Sequence, residues 1–309
     1  MNGRVIPVGS IPDELWKKDT TYLPTKLVDA YSKHLEDYGL LATARSGTDK
    51  KDIFGGCNRD DTLEHFAHRF GVSCARIEFL SLDPITKFGE IPDAILSTFS
   101  EGHVAVLDIP CGPFSTALSM ISTLAVLRKN EVLPRLPLSI SLTGADCSET
   151  ALEVGSSMLD EVQLLFEGQA IHVERQTQLW DATQAEDTAR LIDSWFVHSG
   201  AAREFVVCIS NFSGALIKAH LLEQFQPCLE HILARLYNRK STLLWIEPVT
   251  SDAKEKLLPR IWDYIARRLP QFFGSARRDL IPFADYRLSN PLNAEIIRTG
   301  LAVQRFWRS

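Results

Sequence analysis

Four short stretches of this 309-residue chain end an apolar run on an acid or an amide and then turn sharply. The first, "VAVLDIPCGPFS", ends on Asp108 and continues through Pro110, Gly112 and Phe114. Proline and glycine there stop a strand, Gly112 lets backbone approach a ligand closely, and a helix starting near Ser115 offers free N–H groups. The second, "SLTGADCSETAL", carries Asp146 and Cys147; an acid at this place can accept hydrogen bonds from both ribose hydroxyls. In the third, "TQLWDATQ", Asp181 can accept from the exocyclic amine of an adenine while Trp180 or Ala182 packs beside the ring. The fourth, "FVVCISNFSGAL", sets Ser210 and Asn211 where a polar group can orient a substrate. Taken singly, each is equally well a plain strand-to-helix turn or a helix cap. Four in succession point to a nucleoside-binding site.

The elements that must position these residues alternate. Apolar runs at 103–108, 138–145, 169–175, 204–210 and 241–247 read as strands. Amphipathic stretches at about 115–129, 149–166, 184–198, 214–237 and 253–268 read as helices. Such a β-α-β-α run predicts a mostly parallel sheet covered on both faces, with ligands at the carboxyl ends of its strands. The stretches "FADYRLSN" and "GLAVQRFWRS" alternate like strands and predict an antiparallel hairpin at one edge. Before residue 100 the pattern is helical, with helices expected at Pro12–Lys18, Pro24 to about Arg45, and Asp61–Phe70 opened by an Asp cap. The polar stretch "SGTDKKDIFGGCNRDD" reads as a long, mobile loop. The chain therefore divides into an N-terminal helical region, 1–100, and an α/β domain, 101–309.

Composition narrows the classes. Apolar residues make up 45% and charged residues 23%, ordinary values for a globular protein, and no run approaches the length of a membrane span. The first residues lack the apolar core of a secretory signal, so a cytoplasmic protein is expected. Six cysteines without a C-x-x-C pair predict reduced thiols. The net charge of −6 argues against a surface wholly devoted to nucleic acid. From Ala253 onward, however, 11 Lys and Arg face 5 Asp and Glu. That basic tail, with "ARRDL" and an exposed Trp307, reads either as a phosphate-tracking surface or as a charged edge strand. Glu64, His65 and His68 share one predicted helix; i, i+3 histidines can ligate a metal, but a solvated helix face is the commoner reason for such a pair, and no metal site is expected.

In these motifs and their order the chain resembles the class I S-adenosylmethionine-dependent methyltransferases. "VLDIPCGPFS" is similar to their first motif, "LTGADCSETAL" to the second strand with its ribose-binding acid, and "LWDA" to the adenine-contacting segment; "FVVCISNFSGAL" and "TLLWIEPVT" are similar to the fourth and fifth strands. The resemblance implies a Rossmann-like α/β sheet of seven strands, mostly parallel with an antiparallel edge hairpin, binding S-adenosyl-L-methionine. It implies that Asp108, Pro110, Gly112 and Phe114 surround the methionine end, and that Asp146 and Cys147 lie by the ribose. Asp181 and Ala182 would lie by the adenine, and Ser210, at the mouth of the sheet, would contact the cofactor. Asn211 would stand beside the methyl group as the catalytic residue. Two positions depart from the family's glycine turn: Pro110 replaces the first glycine, and Phe114 the third, where a ring would crowd the methionine portion. Methyl transfer mainly requires alignment of a nucleophile and exclusion of water, and no general base stands at the strand ends. The expected activity is methyl transfer to a small molecule or RNA, with the N-terminal helices selecting the acceptor. A protein that keeps the fold as a structural or regulatory subunit is the alternative, and a nicotinamide oxidoreductase a third reading.

Overall fold

The N-terminal residues open with a ribbon rather than the expected helix over Pro12–Lys18. In the computed structural model, which describes residues 4–46, 56–100, 102–249, 258–260, 263, 267 and 281–308, Trp16–Lys17 (β1) pairs antiparallel with Thr20–Thr21 (β2). The two residues between them, Lys18 and Asp19, take φ of 49° and 56°, the double left-handed geometry of a tight hairpin turn. A helix follows at Thr25–Asp37 (α1), burying Leu27, Tyr31 and Leu35. It stops before Gly39, whose φ of 70° no helix accommodates, so the stretch to Arg45 splits and resumes as Leu41–Arg45 (α2).

The next helix, Arg59–Leu82 (α3), is more than twice the length that the sequence pattern indicated. Asn58, not an Asp, caps it by accepting the N–H of Asp61 at 2.9 Å. Gly71 does not break it: a Cβ there would lie 3.2 Å from the Pro291 ring, so the glycine admits a close neighbour. Asp83 ends α3 in the left-handed conformation and accepts N–H bonds from Lys87 and Phe88. Ile91–Thr98 (α4) leads into the sheet.

From there strands and helices alternate: Gly102–Asp108 (β3), Ser115–Lys129 (α5), Leu138–Asp146 (β4), Glu149–Glu167 (α6), Ile171–Leu179 (β5), Ala185–His198 (α7) and Glu204–Ser210 (β6). Ser213–Lys218 (α8) and Leu222–Leu236 (α9) replace the single helix expected over 214–237. Ser241–Pro248 (β7), Phe283–Ser289 (β8) and Ile296–Arg308 (β9) complete the sheet. The predicted helix at 253–268 falls almost wholly outside the described residues, as do "ARRDL" and most of the predicted mobile loop.

The strand order is β1-β2-β8-β9-β7-β6-β3-β4-β5. The fold is mixed α/β and the sheet mostly parallel, but among the described residues it has nine strands, not seven. Parallel pairing of β2 with β8 adds the N-terminal ribbon beyond the closing hairpin. The hairpin is consequently not an edge: β9 bonds antiparallel to β7 on one side and to β8 on the other. Trp307 lies on this interior strand, half-buried opposite Thr242, with the Arg305 guanidinium 4.6 Å from its ring centroid, and is not the exposed aromatic expected of a tail.

Alternation along β3 shows why both faces are covered. Val104 and Val106 join one apolar cluster with α1, α3, α5 and α6, whereas Ala105 and Leu107 join another with α7 and α9. The helix α5 is buried along nearly its whole length because α3 packs across it. At its end the Arg128 guanidinium donates to the carbonyls of Phe99, Ser100, Leu136 and Gln169, satisfying backbone that no ladder reaches. Among the described residues no helix is long and apolar enough to cross a membrane.

Candidate functional site

The carboxyl ends of β3, β4 and β6 open into one cavity of about 150 Å³, with about 770 Å³ of free space once its mouth is included. Its floor is the turn after β3. Asp108 ends the strand, the Cys111 N–H donates to Ala145 O, and the Phe114 N–H donates back to Cys111 O. Gly112 takes a φ of 50°, and a Cβ there would meet nothing within 4 Å. The missing side chain leaves open space where the cavity begins.

Asp146 ties the two neighbouring turns together. One carboxylate oxygen accepts the N–H of Gly112 and the other that of Ser148, both at 2.9 Å. Burial raises its pKa, and the N–H donors of Ser148, Gly112 and Cys147 act in the opposite direction. Asp108 is more extreme. It is fully buried, its Oδ1 has no partner, and burial pushes its pKa well above the usual carboxylate range, with the Asp146 charge adding to the effect.

Of the site residues expected from the sequence, Pro110, Gly112, Asp146, Cys147, Ser210 and Asn211 line the cavity. Four expected residues do not. Asp108 lies beneath the floor, accepting the Ala117 N–H at 3.3 Å. Phe114, at φ 57°, turns its ring into the core rather than into the methionine end. Two glycines, Gly144 on β4 and Gly155 on α6, form the slot that receives it, and a Cβ on either would collide with the ring. The anticipated crowding of the cavity by this ring therefore does not arise. Asp181 is exposed and closes its own turn by accepting both the N–H and the hydroxyl of Thr183; Ala182, half-buried, is also off the cavity wall.

No protein-family model matches this chain, and no curated protein matches it. What the site does must be read from its own geometry.

The far wall comes from the N-terminal helices. His65 and Ser73 of α3 face the cavity, and the Thr62 hydroxyl pairs with that of Ser148 at 2.7 Å. Thr62, Ser73 and His65 fall on one face of α3 at helical spacing, and that shared polar face is the signal that could have found this wall. His68, considered with His65 as a metal pair, lines a different cavity near Pro291, so the two rings do not converge. Burial lowers the His65 pKa to about 4, with the Arg69 and Arg76 guanidiniums adding to the shift. Cys57, just before α3, is disulfide-bonded to Cys147, which overturns the expectation of reduced thiols for this pair. Cys74, Cys111, Cys208 and Cys228 are free and buried.

Asn211 occupies the third corner. It takes φ 55°, and its N–H donates to Ile246 O at 2.9 Å. Its Oδ1 accepts from the half-buried Arg76 at 2.6 Å, while Arg76 Nε donates to Gly300 O. Arginine has no acceptor, so the oxygen must face it and the Asn211 NH2 must face the other way. Next to it, the Phe212 N–H and the Trp245 indole N–H both donate to Glu247 Oε1, fixing the chain at the cavity mouth.

Proposed function

We propose that this protein is an S-adenosylmethionine-dependent methyltransferase whose cofactor lies over Gly112 and Asp146. The observation that carries the reading is the pairing of these two residues: an acid at the end of β4 braces an open glycine at the end of β3, and both line the cavity that Asn211 closes. The run β5-β4-β3-β6-β7-β9-β8, with β9 antiparallel, supports the likeness to the class I fold.

The residues present fit the cofactor in part. Gly112 provides a cradle that any side chain would fill, and Asp146 has carboxylate lone pairs beyond the two occupied by N–H groups. With Asp181 engaged in its own turn, the adenine would rest on other groups, and Phe212 and Ala215 are the apolar candidates on the wall. Bound there, the cofactor would supply an electrophilic methyl on a sulfonium sulfur. The chain's own part is to hold it, to exclude water behind the α3 wall and to align the acceptor. Retention of the fold without catalysis, as a structural or regulatory part, is the second reading, and the absence of Asp181 and Ala182 from the cavity favours it.

Titration calorimetry with S-adenosylmethionine and S-adenosylhomocysteine tests the first reading. Asp146→Ala should weaken binding at least about tenfold, roughly 1.4 kcal/mol, whereas Asp181→Ala should leave it unchanged. Absence of binding in the native protein, or equal affinity in the Asp146 variant, would overturn the assignment. Binding without methyl transfer to any acceptor would favour the second reading.

A further inference from the structure

The acceptor side of the cavity has an unusual charge balance for a protein with a choice between small molecules and RNA. Among the described residues no lysine or arginine lines it, and its one carboxylate is Asp146, on the cofactor side. The groups facing the remaining space are His65, Ser73, Asn211 and the apolar Phe212. Neither guanidinium near this wall is aimed at a ligand there, although the charge of both is felt at His65: Arg76 donates to Asn211 and Gly300, and Arg69 lines the other cavity. A phosphate or carboxylate entering here would lose its hydration and find no cation on the lining to pair with directly.

Of the polar groups there, two have a fixed hydrogen-bonding sense that the rotatable Ser73 hydroxyl lacks. His65 makes no hydrogen bond to any described residue although its ring is largely enclosed, and the imidazole is neutral at physiological pH because burial and two guanidiniums oppose its charge. It therefore has one ring nitrogen free to accept. The Asn211 NH2, forced outward by Arg76, can only donate.

We propose that the acceptor is a small uncharged molecule whose O–H or N–H is held and deprotonated by His65, while the Asn211 NH2 donates to a neighbouring acceptor atom of the same molecule. The proton-transfer part rests on the methyltransferase reading; the recognition part does not. As the new C–O or C–N bond forms and the methyl–sulfur bond breaks with its electron pair passing to sulfur, the acceptor's proton moves to the unprotonated ring nitrogen of His65. Positive charge lost at the sulfonium thus reappears on the imidazolium, and the net charge of the closed site is unchanged. RNA is disfavoured as the reacting group's carrier, since its phosphates have no counterpart on this wall.

The test uses phenol as a neutral O–H donor and benzoate as its anionic counterpart, titrated into full-length 15N-histidine-labelled protein. His65 is assigned from its loss in His65→Gln. Phenol should move the His65 ring-nitrogen resonance, bind at least tenfold more tightly than benzoate, and lose about fivefold or more of its affinity in His65→Gln. A His65 resonance indifferent to phenol, or benzoate binding as well as phenol, would overturn the proposal, and the comparison of phenol with benzoate on the native protein stands even if the variant does not fold. Running each titration with and without S-adenosylhomocysteine separates the two readings. Failure of that nucleoside to bind overturns the cofactor assignment alone, whereas failure of phenol overturns the assignment of the acceptor.

Discussion

Phe114 and Gly144 should behave as a coupled pair. The Phe114 ring is fully buried, and the nearest atoms to a Cβ built on Gly144 all belong to that ring. Gly144→Ala in the native protein drives a methyl into the ring and should cost about 2 kcal/mol, in the range of overpacked cores. Phe114→Ala alone empties the slot and should cost about 3–5 kcal/mol. In the Phe114→Ala background the new methyl meets a void instead. There Gly144→Ala should stabilise by about 1 kcal/mol, from one buried methyl and the loss of a flexible strand glycine. The sign change gives a coupling of about 3 kcal/mol. Urea denaturation of the four proteins, with unchanged m-values, measures it. A coupling below about 0.5 kcal/mol would refute the placement of the ring between β4 and α6. It would return Phe114 to the cavity at the strand ends, where its removal would change ligand affinity instead.

Glu78 of α3 is fully buried with neither carboxyl oxygen partnered, and burial raises its pKa well above the usual carboxylate range. The folded state thus favours the protonated acid, so stability falls as pH rises from the ordinary carboxylate value toward the buried one, by about 1.4 kcal/mol per pH unit. Glu78→Gln should be more stable than the native protein near pH 7 and lose that advantage near pH 4; parallel stability curves for the two would contradict this. The Cys57–Cys147 bond closes a loop with a sequence separation of 90, for which chain entropy alone gives about 4–5 kcal/mol. Cys57→Ser, or reduction, should therefore lower the urea midpoint. Thiol titration of the unfolded native protein should count four free cysteines, and six would exclude the bond.

The central strands were readable because buried parallel strands are continuous apolar runs bounded by turn residues. The strand at Glu204–Ser210 has the bounds read from sequence, and Ser148 caps α6 where a helix start was expected. The β1–β2 ribbon was hidden because two-residue strands have no periodicity, and its addition turned an apparent edge hairpin into interior strands. The helix expected to end at Phe70 runs on to Leu82. Gly71 is where Pro291 presses against α3, and Ser73 faces the cavity. The direction of the Phe114 ring depends on glycines on two other elements, and the disulfide on a contact between distant segments. Local pattern carries neither. The same holds for His65, whose role depends on α3 crossing the mouth of the sheet.

The two acids at the floor divide one task between them. Asp108 and Asp146 lie close enough for the charge of one to raise the pKa of the other, so both ionise together only at a cost. The backbone breaks the tie. Asp146 receives N–H bonds on both oxygens, which favour its anion, while Asp108 has one weak N–H bond at 3.3 Å and an orphaned oxygen in a dry core, which favour its acid form. Burial raises both acids, and of the two the one that lines the cavity is the better placed to carry the negative charge. Among the described residues lining the cavity no other side chain carries a charge at neutral pH, His65 being held neutral. A lone carboxylate in an otherwise uncharged cavity favours a cationic ligand over a neutral or anionic one. By that logic a sulfonium-bearing nucleoside should bind more tightly than its neutral thioether product, and a ratio at or below one would mean that the Asp146 charge is spent on Gly112 and Ser148 alone.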